Sequence, residues 1–304
     1  MTVETAVPDT EVRGLLALLP PRARPYALLA RFDRPIGAWL LFWPGAWAIL
    51  LAGGASRQAG WLVLLFAIGA VAMRGAGCVY NDIVDRDLDT RVARTRARPL
   101  PSGQVTPKQA WAFLIAICLI GLAVLVALDW PARCISIASL APVACYPFMK
   151  RITWWPQAWL GMVFSWAALV GWAAVTGGLS APGLLLYAGG IGWVIGYDTI
   201  YALQDIEDDV LAGVKSSARA MGRHVRPGVA FCYGMALALW SGAFWARQPD
   251  PLVLLALLPA ALHLGWQVVT LDPADAAGAL ARFRSNRTTG LLIAFAALVV
   301  GSAR

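Results

Sequence analysis

The chain has 304 residues, of which 59% are hydrophobic and 14% charged, with a formal net charge of +8. A soluble domain carries about a quarter charged residues, so the composition excludes an ordinary soluble globule and points to an all-α, polytopic membrane protein. The basic excess does not signal nucleic acid, because it is concentrated in one set of connections between apolar stretches.

In chain order, the first 14 residues hold acids and no apolar core, which argues against a secretory signal or a transit peptide. Residues 1–30 read as an N-terminal cytoplasmic segment. Nine stretches are long and apolar enough to cross a bilayer as helices: 35–55, 59–80, 108–128, 131–149, 155–176, 182–203, 226–246, 251–270 and 288–302. No polar linker separates two domains, so 1–304 reads as a single intramembrane domain around a central cavity. With the N-terminus cytoplasmic, the connections on that side hold 20 of the 25 Lys and Arg residues. The opposite side holds Arg57, Arg133, Arg247 and Arg304, and Arg74 lies within the second stretch. That is the positive-inside pattern of a multi-pass membrane protein, and it predicts the N-terminus on the cytoplasmic side and the C-terminus outside. The five cysteines have no CxxC spacing, and His224 and His263 are far apart, so neither a disulfide nor a zinc framework is expected.

Two cytoplasmic connections are dense in acids. The first follows the second apolar stretch and reads NDIVDRDLD from Asn81 to Asp89. Continued as a helix, it places Asn81, Asp85 and Asp89 on one stripe, because residues four apart share a face. The second reads YDTIYALQDIEDD from Tyr197 to Asp209, where a regular helix brings Asp198, Asp205 and Asp209 within about 40° of one another. Either cluster alone reads equally as a solvated face or a dipole partner. Two such stripes, at the cytoplasmic ends of the second and sixth stretches, are placed to face each other across one cavity.

Converging carboxylates need cations. Two of them about 5 Å apart at an effective dielectric near 20 repel by roughly 3 kcal/mol. The donors are oxygen only, with an Asn carbonyl among them, which suits Mg²⁺ bound together with a substrate phosphate. The pattern therefore predicts magnesium on a pyrophosphate. Arg74 lies two turns before Asn81 on nearly the same face, deep in an apolar stretch, where an ionisable residue is functional by default or a counter-ion to the acids. Lys150 and Arg151 end the fourth stretch and Lys215 follows the second acidic cluster. These read as pyrophosphate ligands or as topology determinants.

Four segments carry a family resemblance: RFDRPIGAWLLFWP (31–44), GCVYNDIVDRDLDTRVARTRARPLPSG (77–103), YPFMKR (146–151) and GYDTIYALQDIEDDVLAGVKSSA (196–218). With them the chain resembles the UbiA superfamily of intramembrane prenyltransferases, and most of all its bacterial branch acting on 4-hydroxybenzoate. The acidic runs are similar to the family's NDxxDxxxD and DxxxD patterns, the latter carried by Asp205 to Asp209, while Ser216-Ser217-Ala218 replaces the usual Ser-Thr-Ala after the lysine. The final third offers only generic spans.

The resemblance implies nine helices and a Mg²⁺-dependent transfer of a polyprenyl group from polyprenyl pyrophosphate to the ring of 4-hydroxybenzoate, ortho to the hydroxyl, for ubiquinone biosynthesis. It implies one Mg²⁺ on Asn81, Asp85 and Asp89 and a second on Asp205 and Asp209, with Asp85 and Asp205 catalytic through the metals. Asp198 would activate the phenol or add a metal ligand. Arg31 and Arg34, or Lys150 and Arg151, would meet the benzoate carboxylate. Dihydroxynaphthoate and homogentisate are alternative acceptors under the same mechanism. Outside this class, the acids would fit a transporter of divalent cations or pyrophosphate.

Overall fold

A computed structural model describes residues 15–90, 95–206 and 215–303. Among them the only regular secondary structure is helical. Ten helices have nine residues or more: α1 Ile36–Gly53, α2 Arg57–Val84, α3 Pro107–Ala127, α4 Trp130–Ala138, α5 Leu140–Ile152, α6 Pro156–Thr176, α7 Ala181–Ala202, α8 Val225–Arg247, α9 Leu258–Thr270 and α10 Ala276–Ser302.

Among the described residues, six segments are long and apolar enough to cross a bilayer: α1, α2, α3, the α4–α5 pair, α6, and Ser217–Arg247, which contains α8. The protein is therefore a polytopic helical membrane protein. The three remaining stretches of the sequence reading differ for local reasons. Helix α7 is continuous, but five glycines dilute its apolarity. The 251–270 stretch is broken into Leu252–Leu255 and α9, with a proline ahead of each piece or at its first turn. The 288–302 stretch is the second half of α10, whose first half carries Arg282, Arg284 and Arg287.

The chain divides into two compact units. One comprises the described residues of Met1–Ala38 and Ala67–Val126. Its core joins Leu29 and Ala30, Ala72, Ala76 and Val79 of α2, Leu100 and Val105 of the following connection, and Ala110, Leu114 and Ile117 of α3. The outer face of α3 presents Ile115, Leu119 and Val126, each about 60% exposed, a surface that suits lipid and not water.

The other unit comprises Trp39–Phe66 and the described residues of Ala127–Arg304. Between α4 and α5 the hydroxyls of Ser136 and Ser139 bond backwards to Ala132 O and Ser136 O, and Pro142 begins the next turn, which together break the helix. Helix α6 stops at Gly177, whose φ of 76° is the left-handed cap that glycine adopts without strain. Helix α7 is the spine of this unit, packed against α6, α8 and α10. It can approach α8 closely because Gly192 and Gly196 leave room for Cys232 O and the Tyr233 ring, where a Cβ would collide. Beside it, Trp47, Trp193 and Trp240 form a buried cluster with ring centroids 5.0–6.2 Å apart.

Candidate functional site

The first acidic run keeps helical register past the end of α2. The Asp85 amide donates to Asn81 O at 2.9 Å and the Asp89 amide to Asp85 O at 2.8 Å, so Asn81, Asp85 and Asp89 do follow one another at single-turn intervals. Asp85 is 1% exposed and Asp89 6%. Asp87 points outward, with its side chain 84% exposed and paired to Arg86 Nε at 3.2 Å.

Around the stripe runs a chain of ion pairs that the sequence reading did not anticipate. Arg31 Nη2 donates to both oxygens of the buried Asp82, at 2.8 and 2.9 Å, and Arg31 Nη1 to Leu28 O at 2.9 Å. Arg98 Nη1 bridges Asp82 Oδ1 at 3.3 Å and Asp89 Oδ2 at 2.9 Å. The Thr95 hydroxyl adds a bond to Asp89 O at 2.8 Å, tying the connection back to the stripe. Arg31 is also the one non-glycine residue with positive φ among the described residues, at 58°, a backbone cost that its anchored guanidinium offsets. Burial pushes the Arg31 guanidinium pKa down, the Asp82 carboxylate together with Cys78 and Asp33 pushes it up, and the net direction is up.

Two expectations therefore take a different form. Arg31, expected to read an acceptor carboxylate, is committed to Asp82. Asp89, expected on a metal, also gives an oxygen to Arg98. The signal for Asp82 was available: seven residues, or two turns, separate it from Asp89, so a helical wheel puts both on one side. Arg34 gives its Nε to Asp33 at 3.1 Å. The Arg74 guanidinium lies over Gly37, where any side chain would displace it.

In the second unit, Asp198 lies half-buried near the end of α7. The backbone then tightens into a 3₁₀ turn over Leu203–Asp205. Such a segment has three residues per turn instead of the 3.6 of a regular helix. The side chain of Asp205, and Glu207, Asp208 and Asp209 entirely, lie outside the described residues. Beyond them, the Lys215 amide donates to Lys150 O at 3.3 Å and its Nζ to Ile152 O at 3.2 Å, so Lys215 sits beside the Lys150–Arg151 pair. The segment after Lys215 is fixed by the Ser217 amide on Gln157 Oε1 at 2.9 Å and by the Ser217 hydroxyl against that of Thr199 at 2.6 Å.

Among the described residues no three Asp, Glu, His or Cys side chains are gathered to hold a metal by themselves. The first stripe still fits a hard cation by donor chemistry. Its donors, two buried carboxylates and an Asn carbonyl, are all oxygen, the donor type that Mg²⁺ takes when phosphate and water complete its shell.

A model described as the UbiA prenyltransferase family matches residues 41–299. The chain is 42% identical to the mitochondrial 4-hydroxybenzoate polyprenyltransferase of Drosophila melanogaster, over 98% of this chain and 76% of that one. It is also 42% identical to the protein of that name from Arabidopsis thaliana, over 93% and 70%. A UbiA homologue from Aeropyrum pernix K1, solved in its apo form, superposes with a TM-score of 0.71 at 26% identity, covering 86% of this chain and 97% of that one. A UbiA homologue from Archaeoglobus fulgidus, solved bound to GPP and Mg²⁺, has the same fold, with a TM-score of 0.67 at 16% identity over 92% and 100%.

Proposed function

The chain belongs to the UbiA prenyltransferase family, and from that premise we propose that it transfers a polyprenyl group from polyprenyl pyrophosphate to 4-hydroxybenzoate, ortho to the hydroxyl, releasing pyrophosphate in ubiquinone biosynthesis. The observation that carries this is the likeness, above 40% identity and along nearly the whole chain, to relatives that bear that activity as their name.

The reaction breaks the allylic C–O bond of the donor, whose electron pair leaves with pyrophosphate. The ring carbon ortho to the hydroxyl supplies the electrons of the new C–C bond, and loss of the proton on that carbon restores aromaticity. The charge that grows on the leaving oxygens needs fixed cations. Lys215, Lys150 and Arg151 form one cationic group suited to them, and Arg74 is a second source. Asn81, Asp85 and Asp89 would hold one Mg²⁺ and Asp205 with Asp209 another. Bound there, the ions would neutralise the pyrophosphate. The A. fulgidus homologue solved with GPP and Mg²⁺ supports this reading of the metal. Asp198 is suited to accept the phenolic proton or to add a metal ligand. Arg34, itself paired to Asp33, is with Lys150 and Arg151 a candidate partner of the benzoate carboxylate, since an unpaired buried anion costs several kcal/mol.

The test is an assay of purified protein with a polyprenyl pyrophosphate and 4-hydroxybenzoate, dihydroxynaphthoate and homogentisate as competing acceptors. Turnover is expected with 4-hydroxybenzoate, to be lost on chelation and restored by Mg²⁺ better than by Zn²⁺. Full activity in excess chelator would sink the metal assignment, and preference for another acceptor would sink the substrate. In the same assay Arg34→Ala is expected to raise the Michaelis constant for 4-hydroxybenzoate roughly 10- to 150-fold, the range of a lost charge-assisted hydrogen bond, and that for the donor far less. Equal effects on both would remove Arg34 from that role.

Nine spans, with the N-terminus and both acidic connections on the cytoplasmic side of a bacterial inner membrane, complete the proposal. The charge distribution supports it, and the relatives' names assign those proteins to mitochondria. Reporter fusions after Ser102 and Ser216 should read cytoplasmic and fusions near Gln248 external; an external reading at either acidic connection inverts the arrangement.

A further inference from the structure

The last third of the chain contains the most completely buried polar cluster among the described residues. Gln267 on α9 and Asn286 and Thr289 on α10 are each 0% exposed, and Tyr233 on α8 is 2% exposed. Asn286 is the centre. Its Oδ1 accepts from Trp193 Nε1 of α7 at 2.7 Å, and its Nδ2 donates to Gln267 Oε1 and to Arg282 O, both at 3.1 Å. Gln267 Oε1 also accepts from the Tyr233 hydroxyl at 2.9 Å, and Thr289 Oγ1 meets His263 Nδ1 at 2.8 Å. Four helices are thus joined through two amide side chains, Asn286 linking α7, α9 and α10 and Gln267 adding α8.

The direction in which this cluster acts follows from what is stacked on it. Trp193, Tyr197 and Tyr201 recur every four residues on one face of α7. The Trp193 ring meets Tyr197 edge-on at 4.9 Å, and Phe283, one turn before Asn286 on α10, meets Tyr197 at 5.8 Å and Tyr201 at 4.6 Å. Helix α10 therefore grips the C-terminal half of α7 at three successive turns, by a hydrogen bond and by rings. Asp198 lies between two of the gripped residues, and the chain reaches Asp205 four residues after Tyr201. Apolar packing alone tolerates small rotations of one helix against another. A buried amide with a donor and an acceptor both engaged does not, because a rotated α7 leaves the Trp193 N–H and the Asn286 carbonyl unpaired away from water.

We propose that Asn286 is a positioning residue for the second acidic segment: through Trp193 it fixes the rotation of α7 and so the direction in which Asp198 is presented for prenyl transfer. The inference rests on the proposed role of that segment. It assigns to the end of the chain a part in the reaction that its apolar character does not suggest.

The test is a double-mutant cycle on the purified full chain. Asn286→Leu keeps the branched outline of the side chain, with somewhat larger volume, and removes both hydrogen-bonding groups. It is expected to lower kcat roughly ten- to a hundredfold, the loss typical when a catalytic group is misplaced from a distance. Trp193→Phe keeps a six-membered aromatic ring and deletes the N–H together with the rest of the five-membered ring, and is expected to lower kcat in the same direction by less; it carries the test if Asn286→Leu does not fold. Asp198→Asn is expected to be severely impaired. Because residues acting as one unit are not additive, adding either substitution to Asp198→Asn should cost no more than a further twofold, roughly. Multiplicative losses, or a fall in melting temperature with kcat intact, would overturn the positioning role and reduce Asn286 to a structural clamp. Full activity of Asp198→Asn would instead overturn the reading of the acidic segment, and the inference with it.

Discussion

Asp85→Asn should lower turnover by roughly a hundredfold or more, with the protein still folded and inserted. Asp85 continues the helical register of α2 from Asn81 and is buried to 1% exposure, so its charge is held in a surrounding where water screens little. Asparagine keeps the shape and one acceptor but removes the negative charge that would hold a metal on the donor pyrophosphate. Asp205→Asn should behave alike if the second acidic run serves the same leaving group. Asp87→Asn is the control. It lies within the same run, two residues away, yet its side chain is 84% exposed and paired only with its neighbour Arg86, so the expected change is within about threefold. Turnover measured at saturating donor and acceptor decides the matter. Equal losses at Asp85 and Asp87 would mean that the run acts as a diffuse negative patch, and the stripe would lose its meaning.

That contrast between two aspartates was legible from spacing alone, because a helix repeats its faces every three to four residues and the run from 81 to 89 obeys that repeat. The membrane-spanning character was legible for the same kind of reason, since composition and run length are local properties. What spacing could not give are the contacts that close over long stretches of chain. Arg31 and Asp82 are 51 residues apart, and nothing local marks the arginine as the partner of one acid rather than of a substrate. Trp193 and Asn286 are 93 residues apart; the indole N–H lies in an apolar stretch of α7 and the amide lies among the arginines and hydroxyls of α10, so neither is marked as the other's partner until both are seen to point at one another. At the start of the second acidic run the backbone departs from the regular helix that a wheel assumes. A wheel assumes 3.6 residues per turn, and the backbone tightens into a 3₁₀ turn over the three residues that end on Asp205.

Removing Asp82 should damage the fold more than the chemistry, and this separates Arg31 from the carboxylate role that its position in the sequence suggests. Asp82 is the anion shared by Arg31 and Arg98, whose side chains are only 15% and 19% exposed. Breaking a buried pair by deleting one partner typically costs about 3–5 kcal/mol, because the charge left behind is neither solvated nor paired. Arg98 keeps Asp89 at 2.9 Å, so the uncompensated charge in Asp82→Leu is mainly that of Arg31. Replacing both groups by apolar residues, as in Arg31→Met with Asp82→Leu, removes the charge together with its partner and should recover most of the loss. Equilibrium unfolding in detergent would measure both variants against the parent chain. A single-variant loss below about 1 kcal/mol would show that the pair is no better than an exposed one. Kinetics on whatever folded fraction remains supplies the second readout. If Arg31 serves the fold through Asp82, the Michaelis constant for 4-hydroxybenzoate in the double variant stays within a few-fold of the parent value. A selective rise of tenfold or more would return Arg31 to the acceptor and make Asp82 the residue that aims it.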